Sequence, residues 1–187
     1  MKQLVGDRKD VHIYQGDANE VLLTEIFPQV RYDQFRRGLC LLDPYGLHLN
    51  WDVIERAGEL KTIDIFLNFP IMAMNRNSLW RNPERVEASD IERMNVFWGD
   101  DSWRTIAYKK VPNLFEEEEI KQENSVIVNA FCERLRKVAS FEYVSRPFPM
   151  RNTNGATVYY LLFASQQRVA EEIVHDIFSK YEKRGIQ

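Results

Sequence analysis

The fold class follows from residues 39–46, which read Leu39-Cys40-Leu41-Leu42-Asp43-Pro44-Tyr45-Gly46. The first four residues are apolar at every position, which is typical of a central parallel strand covered by helices on both faces. The strand ends at Asp43-Pro44, and residues 51–60 then carry a helical pattern. A second apolar strand follows over residues 62–69 (TIDIFLNF) and ends at Pro70. This order of strand, helix and strand predicts a right-handed crossover in a parallel α/β sheet.

The N-terminal side extends the same pattern. Val11 to Tyr14 is rich in β-branched and aromatic residues and predicts an earlier strand that stops at Gly16. A helix should follow, capped by Asp17 or Asn19 and closed or kinked by Pro28. We therefore expect three parallel strands connected by helices.

The C-terminal side predicts an antiparallel addition to the sheet. Residues 141–147 and 157–165 are two strand-like runs, and Asn154-Gly155 between them is a strong hairpin signal. The last helix is expected from about residue 167 to 181. Its wide apolar stripe should dock on the sheet.

The middle of the chain departs from this pattern. From Met72 to Lys110 there is no strand signal, so we expect a helical insertion at about residues 72–110. Glu116 to Ala139 then predicts a long helix, because glutamates at its start favour the positive end of the helix dipole. The insertion interleaves arginines with aromatic residues: Arg76, Arg81, Arg85, Arg93, Arg104, Trp80, Phe97, Trp98 and Trp103.

Composition sets the broad class of the protein. The chain has 187 residues, with 25 basic and 28 acidic side chains, which suits one domain and excludes nucleic-acid binding through global positive charge. A local basic patch stays possible. Cys40 and Cys132 are far apart and outside any metal-ligand spacing, so we predict neither a disulfide nor a metal site. A charged N-terminus without a long apolar run predicts a soluble cytoplasmic protein.

Three groups of polar residues follow the predicted strands, where ligands bind in open α/β sheets. After the first strand, Asp17 either binds a ligand amino group or only caps its helix. After the second, Asp43, Pro44 and Tyr45 suit recognition of an exocyclic amine by a carboxylate and a stacking ring, although an Asp-Pro turn is also common for local reasons.

The third group begins at Asn68, at the end of the next strand. Asn68 is polar at the mouth of an apolar sheet, so it either faces the same cleft or is buried with a backbone partner. Asn75 and Arg76 follow it. Arg76 and Arg81, beside the aromatic residues of the insertion, either form a stacking and phosphate-binding surface or flank ordinary core residues.

Four motifs together resemble the three-Cys-motif partner protein (TcmP) family. They are GDANEVL, LCLLDPYGLHLNWDVIE, TIDIFLNFPIMAMNRN and FPMRNTNGATVYYLLFAS, in that order along nearly the whole chain. The family is similar to class I S-adenosylmethionine-dependent methyltransferases. The resemblance implies a Rossmann-like, three-layer α/β/α fold whose sheet is mostly parallel, with a C-terminal antiparallel hairpin.

The resemblance also implies roles for single residues. Asp17 and Ala18 match the pair that contacts the adenine of S-adenosylmethionine. Asp43, Pro44 and Tyr45 match the catalytic Asp-Pro motif of methyltransferases that act on an amino group of adenine or guanine, with the aromatic residue displaced by one position. The family name implies a partner protein with a three-cysteine motif of the radical S-adenosylmethionine kind.

One departure qualifies this comparison. The sequence contains no GxG turn for the methionine part of the donor and no following strand with a ribose-binding acid. We therefore expect residues 1–187 to be a single, partial methyltransferase-like domain that lacks the first strands. Its Leu39 to Leu42 strand would then have an unpaired edge, which either Val11 to Tyr14, a second copy or a partner should fill.

Two functions follow from these observations. The first is the C-terminal part of a methyltransferase acting on an exocyclic amine of a nucleic-acid base, inactive alone. The second is a non-catalytic module that docks the three-cysteine partner through the arginine and tryptophan insertion. Binding of S-adenosylmethionine would separate them.

Overall fold

The computed structural model describes residues 8–112 and 117–185. The sheet strands are β1 (Gly38–Leu42), β2 (Ile63–Phe69), β5 (Tyr143–Val144), β6 (Phe148–Arg151) and β7 (Thr157–Ser165), and a separate hairpin consists of β3 (Tyr108–Pro112) and β4 (Glu117–Lys121). The helices of the described residues are α1 (Ala18–Val21), α2 (Trp51–Leu60), α3 (Ile71–Asn77), α4 (Ala88–Trp98), α5 (Trp103–Ala107), α6 (Asn124–Lys137) and α7 (Arg168–Lys183). The α/β class is as predicted.

The strand order in the main sheet is β1-β2-β7-β5, with β6 also pairing with β7. β1 and β2 are parallel, whereas β7 runs antiparallel to β2, β5 and β6. The last strand is thus inserted between β2 and the strands that precede it in the chain. The predicted C-terminal hairpin is confirmed, but the sheet is mixed and not mostly parallel.

The predicted bounds of helices and strands are most accurate where a clear hydrophobic periodicity ends at a strong stop signal such as proline. α2 has the predicted bounds, β2 ends before Pro70, and α7 covers the predicted helix. The hairpin turn forms at Asn152, whose Oδ1 accepts hydrogen bonds at 3.0 Å from the backbone N–H groups of Asn154 and Ala156.

Three predicted elements are wrong in form. Val11 to Tyr14 is not a strand, because among the described residues no strand lies beside it for pairing. The helix after Asp17 is α-helical only over α1 and continues as a π-helix (Leu22–Ile26) and a 3-10 helix (Phe27–Gln29). The strand predicted over residues 141–147 is replaced by the short β5 and by β6.

The predicted helix from Glu116 to Ala139 is also wrong in its first part. Glu116 lies outside the described residues, and the following glutamates belong to β4, which pairs antiparallel with β3. In this register Lys110 lies opposite Glu119, so cross-strand charge pairing favours the hairpin. The helix α6 begins only at Asn124, and the region predicted as a helical insertion ends in β3.

The two faces of the main sheet are covered unequally. The inner face carries Ile65, Leu67 and Leu162 and packs against helices that include α2 and α6. The outer face carries Leu39, Leu41, Phe66 and Phe163, and α7 covers only part of it. Among residues 8–112 and 117–185, β1 is therefore an edge strand with one uncovered face, not the doubly covered central strand that its sequence predicts.

Many aromatic rings of the predicted insertion belong to the core. Phe97, Trp98 and Trp103 are buried, and Phe97 and Trp98 pack against Phe131 of α6 with ring centroids 5.6 and 5.3 Å apart. They close the inner face and are not available to stack on a ligand. Within residues 8–112 and 117–185, every helix is too short or too polar to span a bilayer.

Candidate functional site at the carboxyl ends of two strands

Asp43 and Asn68 meet where β1 and β2 end. The amide Nδ2 of Asn68 donates a hydrogen bond of 2.7 Å to Asp43 Oδ1. Since β1 and β2 are parallel neighbours, their carboxyl ends lie at the same edge of the sheet, and a shared cleft was one of the two alternatives that the sequence left open for Asn68. Within the described residues Asn68 Oδ1 is buried without a hydrogen-bond partner.

Asp43 is followed by a turn that presents an aromatic ring. Gly46 has a φ of +60°, a left-handed conformation that glycine adopts without strain, and the His48 N–H donates to Tyr45 O at 3.2 Å. The Tyr45 side chain is 88% exposed. Its ring stacks on the His48 ring with centroids 6.2 Å apart and an interplanar angle of 25°. Tyr45 therefore lies almost wholly in solvent, with the His48 ring beside it.

Asp17 caps α1, which is one of the two roles considered from sequence. Its Oδ1 accepts hydrogen bonds from the N–H groups of Asn19 at 2.8 Å and Glu20 at 3.3 Å. The hydrogen bond that the Asn19 side chain donates to Asp17, with help from these two N–H groups, lowers the pKa of the Asp17 carboxyl. Ala18, the other predicted donor-binding residue, is the exposed first residue of α1.

Asn19 connects α1 to the segment after β1. Its Nδ2 donates to His48 O at 3.3 Å, and its Oδ1 accepts from the Asn50 N–H at 2.8 Å. The side chain is buried, and it holds the N-terminus of α1 beside the turn that presents Tyr45. Sequence reasoning treated Asn19 only as a possible helix cap, because its partners lie about thirty positions away.

A cavity of about 350 Å³ lies beside these residues. Its lining includes Asp17, His48 and Arg93, and Arg93 contacts both ring nitrogens of His48, with Nδ1 at 2.9 Å. Arg93 is on α4, which the sequence placed in the insertion with no link to His48. This volume is at the lower end of the range for small-ligand sites, and a nucleoside is of suitable size.

A second cavity adjoins the first one. It has a volume of about 470 Å³ and shares Asn50, Glu92 and Val96 with it. Its rim is acidic, with Asp52, Asp100 and Asp101 among its other residues.

The predicted residues after β2 divide into two groups. Asn75 is used in packing, since its Nδ2 donates to Asn124 Oδ1 at 3.1 Å and its Oδ1 accepts from Lys121 Nζ at 2.7 Å. Burial, together with the nearby charge of Arg81, lowers the pKa of Lys121. Arg76 and Arg81 are exposed, and Trp80 Nε1 between them donates to Arg76 O at 2.7 Å. The structure thus leaves Arg76 and Arg81 accessible and engages Asn75 within the protein.

Comparison with known proteins gives no significant match. No family model matches the chain, and neither a curated protein nor a solved structure is significantly similar to it.

Proposed function

We propose that this chain carries the substrate-recognition half of an S-adenosylmethionine-dependent methyltransferase that acts on an exocyclic amine of a nucleic-acid base. The observation that supports it best is the Asp43–Asn68 pair at the carboxyl ends of β1 and β2, beside the exposed ring of Tyr45. A carboxylate with an aromatic ring next to it suits a flat base that carries an amino group. The antiparallel pair of β6 and β7 at the C-terminal end of the sheet is the part of the methyltransferase-like fold implied by the motifs that supports this proposal.

Asp43 would orient the amine. One carboxylate oxygen, Oδ1, is engaged by Asn68, and the other has no hydrogen-bond partner among the described residues. That second oxygen can accept a hydrogen bond from one N–H of the amine while Tyr45 stacks on the base. The amide of Asn68 acts as a positioning group, because its bond to Oδ1 fixes the direction of the second oxygen.

The donor side of the site fits in part. The cavity lined by Asp17, His48 and Arg93 has room for the adenosine portion of S-adenosylmethionine, which would supply the methyl group. The described residues include no glycine-rich turn for its methionine portion. We therefore expect this chain to bind S-adenosylmethionine more weakly than about 10 µM in calorimetry. Tighter binding would contradict the assignment of a partial donor site.

Contacts to the nucleic-acid backbone would come from Arg76 and Arg81. The segment that carries them leaves the sheet at Pro70, directly after β2, so it starts from the edge where Asn68 lies. Arginines beside an exposed tryptophan suit phosphates and unpaired bases. Such contacts need only a local basic patch and are compatible with a net charge of −3.

The test compares two single-stranded oligonucleotides by fluorescence anisotropy, one with adenines and one with hypoxanthine in their place. Hypoxanthine lacks the exocyclic amine, so we expect the chain to bind the adenine strand about tenfold more tightly, since a hydrogen bond to a charged group contributes about 1.5–3 kcal/mol. Asp43→Asn should remove the preference. Asp176→Asn, an exposed acid on α7, is the matched control and should retain it. Equal affinity of the wild type for both strands would overturn the proposal.

A further inference from the structure

The outer edge of β1 has no strand beside it among the described residues. The Gly38 N–H donates to Thr62 O at 3.0 Å, so the backbone groups of Gly38 point toward β2. Because backbone groups alternate in direction along a strand, those of Leu39 and Leu41 point to the open edge. An edge of this kind is a template for pairing with another chain.

The side chains of β1 on the outer face are apolar and exposed. Leu39 is 59% exposed and Leu41 is 71% exposed. Phe66 of β2 lies next to Leu41 on this face and contacts Phe178 of α7, with ring centroids 6.3 Å apart. The uncovered part of the face is thus bounded on one side by α7 and on the other by the open edge.

Charges of opposite sign flank the two leucines. Arg37 precedes β1 and Asp43 follows it, and both are exposed. Within the described part of the chain Arg37 has no ion-pair partner, and the neutral amide of Asn68 is the only hydrogen-bond donor to Asp43. Along the outer face the order is therefore basic, apolar, apolar, acidic.

We propose that the occupant of this edge is a second copy of the same chain, paired antiparallel through β1 and centred on Cys40. In this register Arg37 lies opposite Asp43 of the second copy, and Leu39 lies opposite Leu41 of the second copy. The two-fold axis repeats each pair, so the basic-to-acidic order complements itself. An in-register parallel pairing would instead set Arg37 beside Arg37.

The directions in which the backbone N–H and C=O groups of β1 point agree with this register. Leu39 of one copy and Leu41 of the other both direct their backbone groups to the shared edge. Each such pair can therefore exchange two hydrogen bonds. Cys40 then faces Cys40 in a non-hydrogen-bonded pair, with Cα atoms about 4.5 Å apart. Centring the pairing on Leu39 or Leu41 still lets the outward-pointing backbone groups form hydrogen bonds. It moves Arg37 and Asp43 away from each other. Charge thus selects one register among those that the backbone allows.

The dimer proposal does not rest on the proposed function, but both involve the carboxylate of Asp43. Arg37 of the second copy would approach the carboxylate of Asp43, which is the group proposed to meet the base amine. Dimer formation and amine recognition are therefore alternatives at one carboxylate. The oligonucleotide experiment should be run at protein concentrations below the dissociation constant of the dimer, which keeps the two results separate.

The test is sedimentation equilibrium of the whole chain with charge reversals. We expect the wild type to have twice the chain mass at concentrations on the order of 100 µM. Arg37→Asp and Asp43→Arg should each raise the dimer dissociation constant at least about tenfold, because each sets like charges opposite one another. The double reversal should restore dissociation to within about threefold of the wild type, since it exchanges the two partners.

Matched controls are Arg85→Asp and Glu84→Arg, two exposed positions in the 3-10 helix Pro83–Arg85. They change the charge by the same amounts and should leave dissociation unchanged. Circular dichroism of every variant checks folding, which the exposed positions of Arg37 and Asp43 should not affect. A monomeric wild type, or a dimer that neither reversal weakens, would overturn the proposal, and failure of the double reversal to restore pairing would overturn the register.

Discussion

The inner and outer faces of the main sheet are built from alternating residues of the same strands, yet they meet different surroundings. On the inner face Ile65, Leu67 and Leu162 are at most 1% exposed. On the outer face Leu39 and Leu41 project beyond α7 into solvent, while Phe163 beneath α7 is buried. Burial in this molecule therefore depends on which face of the sheet has helices, and not on the apolar character of a strand.

The aromatic cluster around Phe131 is the centre of the packing on the inner face. Phe131 is fully buried and contacts the rings of Phe69, Trp51 and Trp98 with centroid distances of 4.8, 5.7 and 5.3 Å. It connects α6 to the sheet and to α4. Loss of the Phe131 ring would therefore weaken the packing of several elements together.

The largest effect is therefore expected for Phe131→Ala. Loss of a fully buried ring should lower the free energy of unfolding by about 4 kcal/mol. Urea denaturation followed by tryptophan fluorescence measures it, since Trp51 and Trp98 adjoin the cavity. A loss below about 1 kcal/mol would show that the inner face is not the main core.

The next largest effect tests the covered part of the outer face. Phe178 of α7 is 3% exposed and stacks on Phe148 with centroids 4.7 Å apart. Phe178→Ala should cost about 3 kcal/mol, less than Phe131→Ala, because the groove beside it is open and its lining can relax into the space. The same denaturation experiment compares the two variants. An equal or larger loss for Phe178→Ala would mean that the two faces do not differ in this way.

Neighbouring residues of β1 give a matched comparison between the faces. Leu42 is 7% exposed on the inner face, and Leu41 is on the outer face. Leu42→Ala should cost about 2–3 kcal/mol, whereas Leu41→Ala should change the free energy of unfolding by less than about 0.5 kcal/mol. Both are measured in the Arg37→Asp background, so that loss of a dimer contact does not add to the result. Similar costs for both variants would show that another part of the chain covers the outer face.

The sequence predicts much of the sheet because periodicity and proline are local signals. Trp51 to Leu60 and the end of β2 at Pro70 follow directly from them. The apolar run Leu39 to Leu42 predicts a strand correctly but carries no information on whether helices cover both of its faces. The acidic run before Lys121 resembles a helix start, and only its pairing with β3, the preceding strand of the same hairpin, makes it a strand.

The candidate site divides in the same way. The sequence offered a shared cleft for Asp43 and Asn68 as one alternative, because Asp43 follows one strand, Asn68 is near the end of the next, and strand ends in a parallel sheet converge. The contact between His48 and Arg93 was missed, since it joins residues 45 positions apart and needs the position of α4. Asn75 precedes Arg76 in the sequence, yet only the fold shows that Lys121 and Asn124 engage it.

The smallest expected effect concerns Asp17, which lies at the exposed start of α1, away from both faces. The hydrogen bond from the Asn19 side chain, followed by those from backbone N–H groups, lowers its folded-state pKa below the value of about 3.9 for an unfolded aspartate. A lowered pKa stabilises the folded state above the unfolded-state value, and the contribution is lost as the pH falls through the folded-state value. Asp17→Ala should therefore lower the melting temperature slightly at pH 6 and hardly at all below pH 3.

Asp17→Asn separates capping from charge, because it retains the acceptor but does not titrate. Its melting temperature should differ less from that of the wild type at pH 6, while Asp33→Ala, at an exposed acid that caps no helix, serves as the control. If the difference between the wild type and Asp17→Ala persists unchanged at pH 3, the carboxylate is not the group that holds the start of α1.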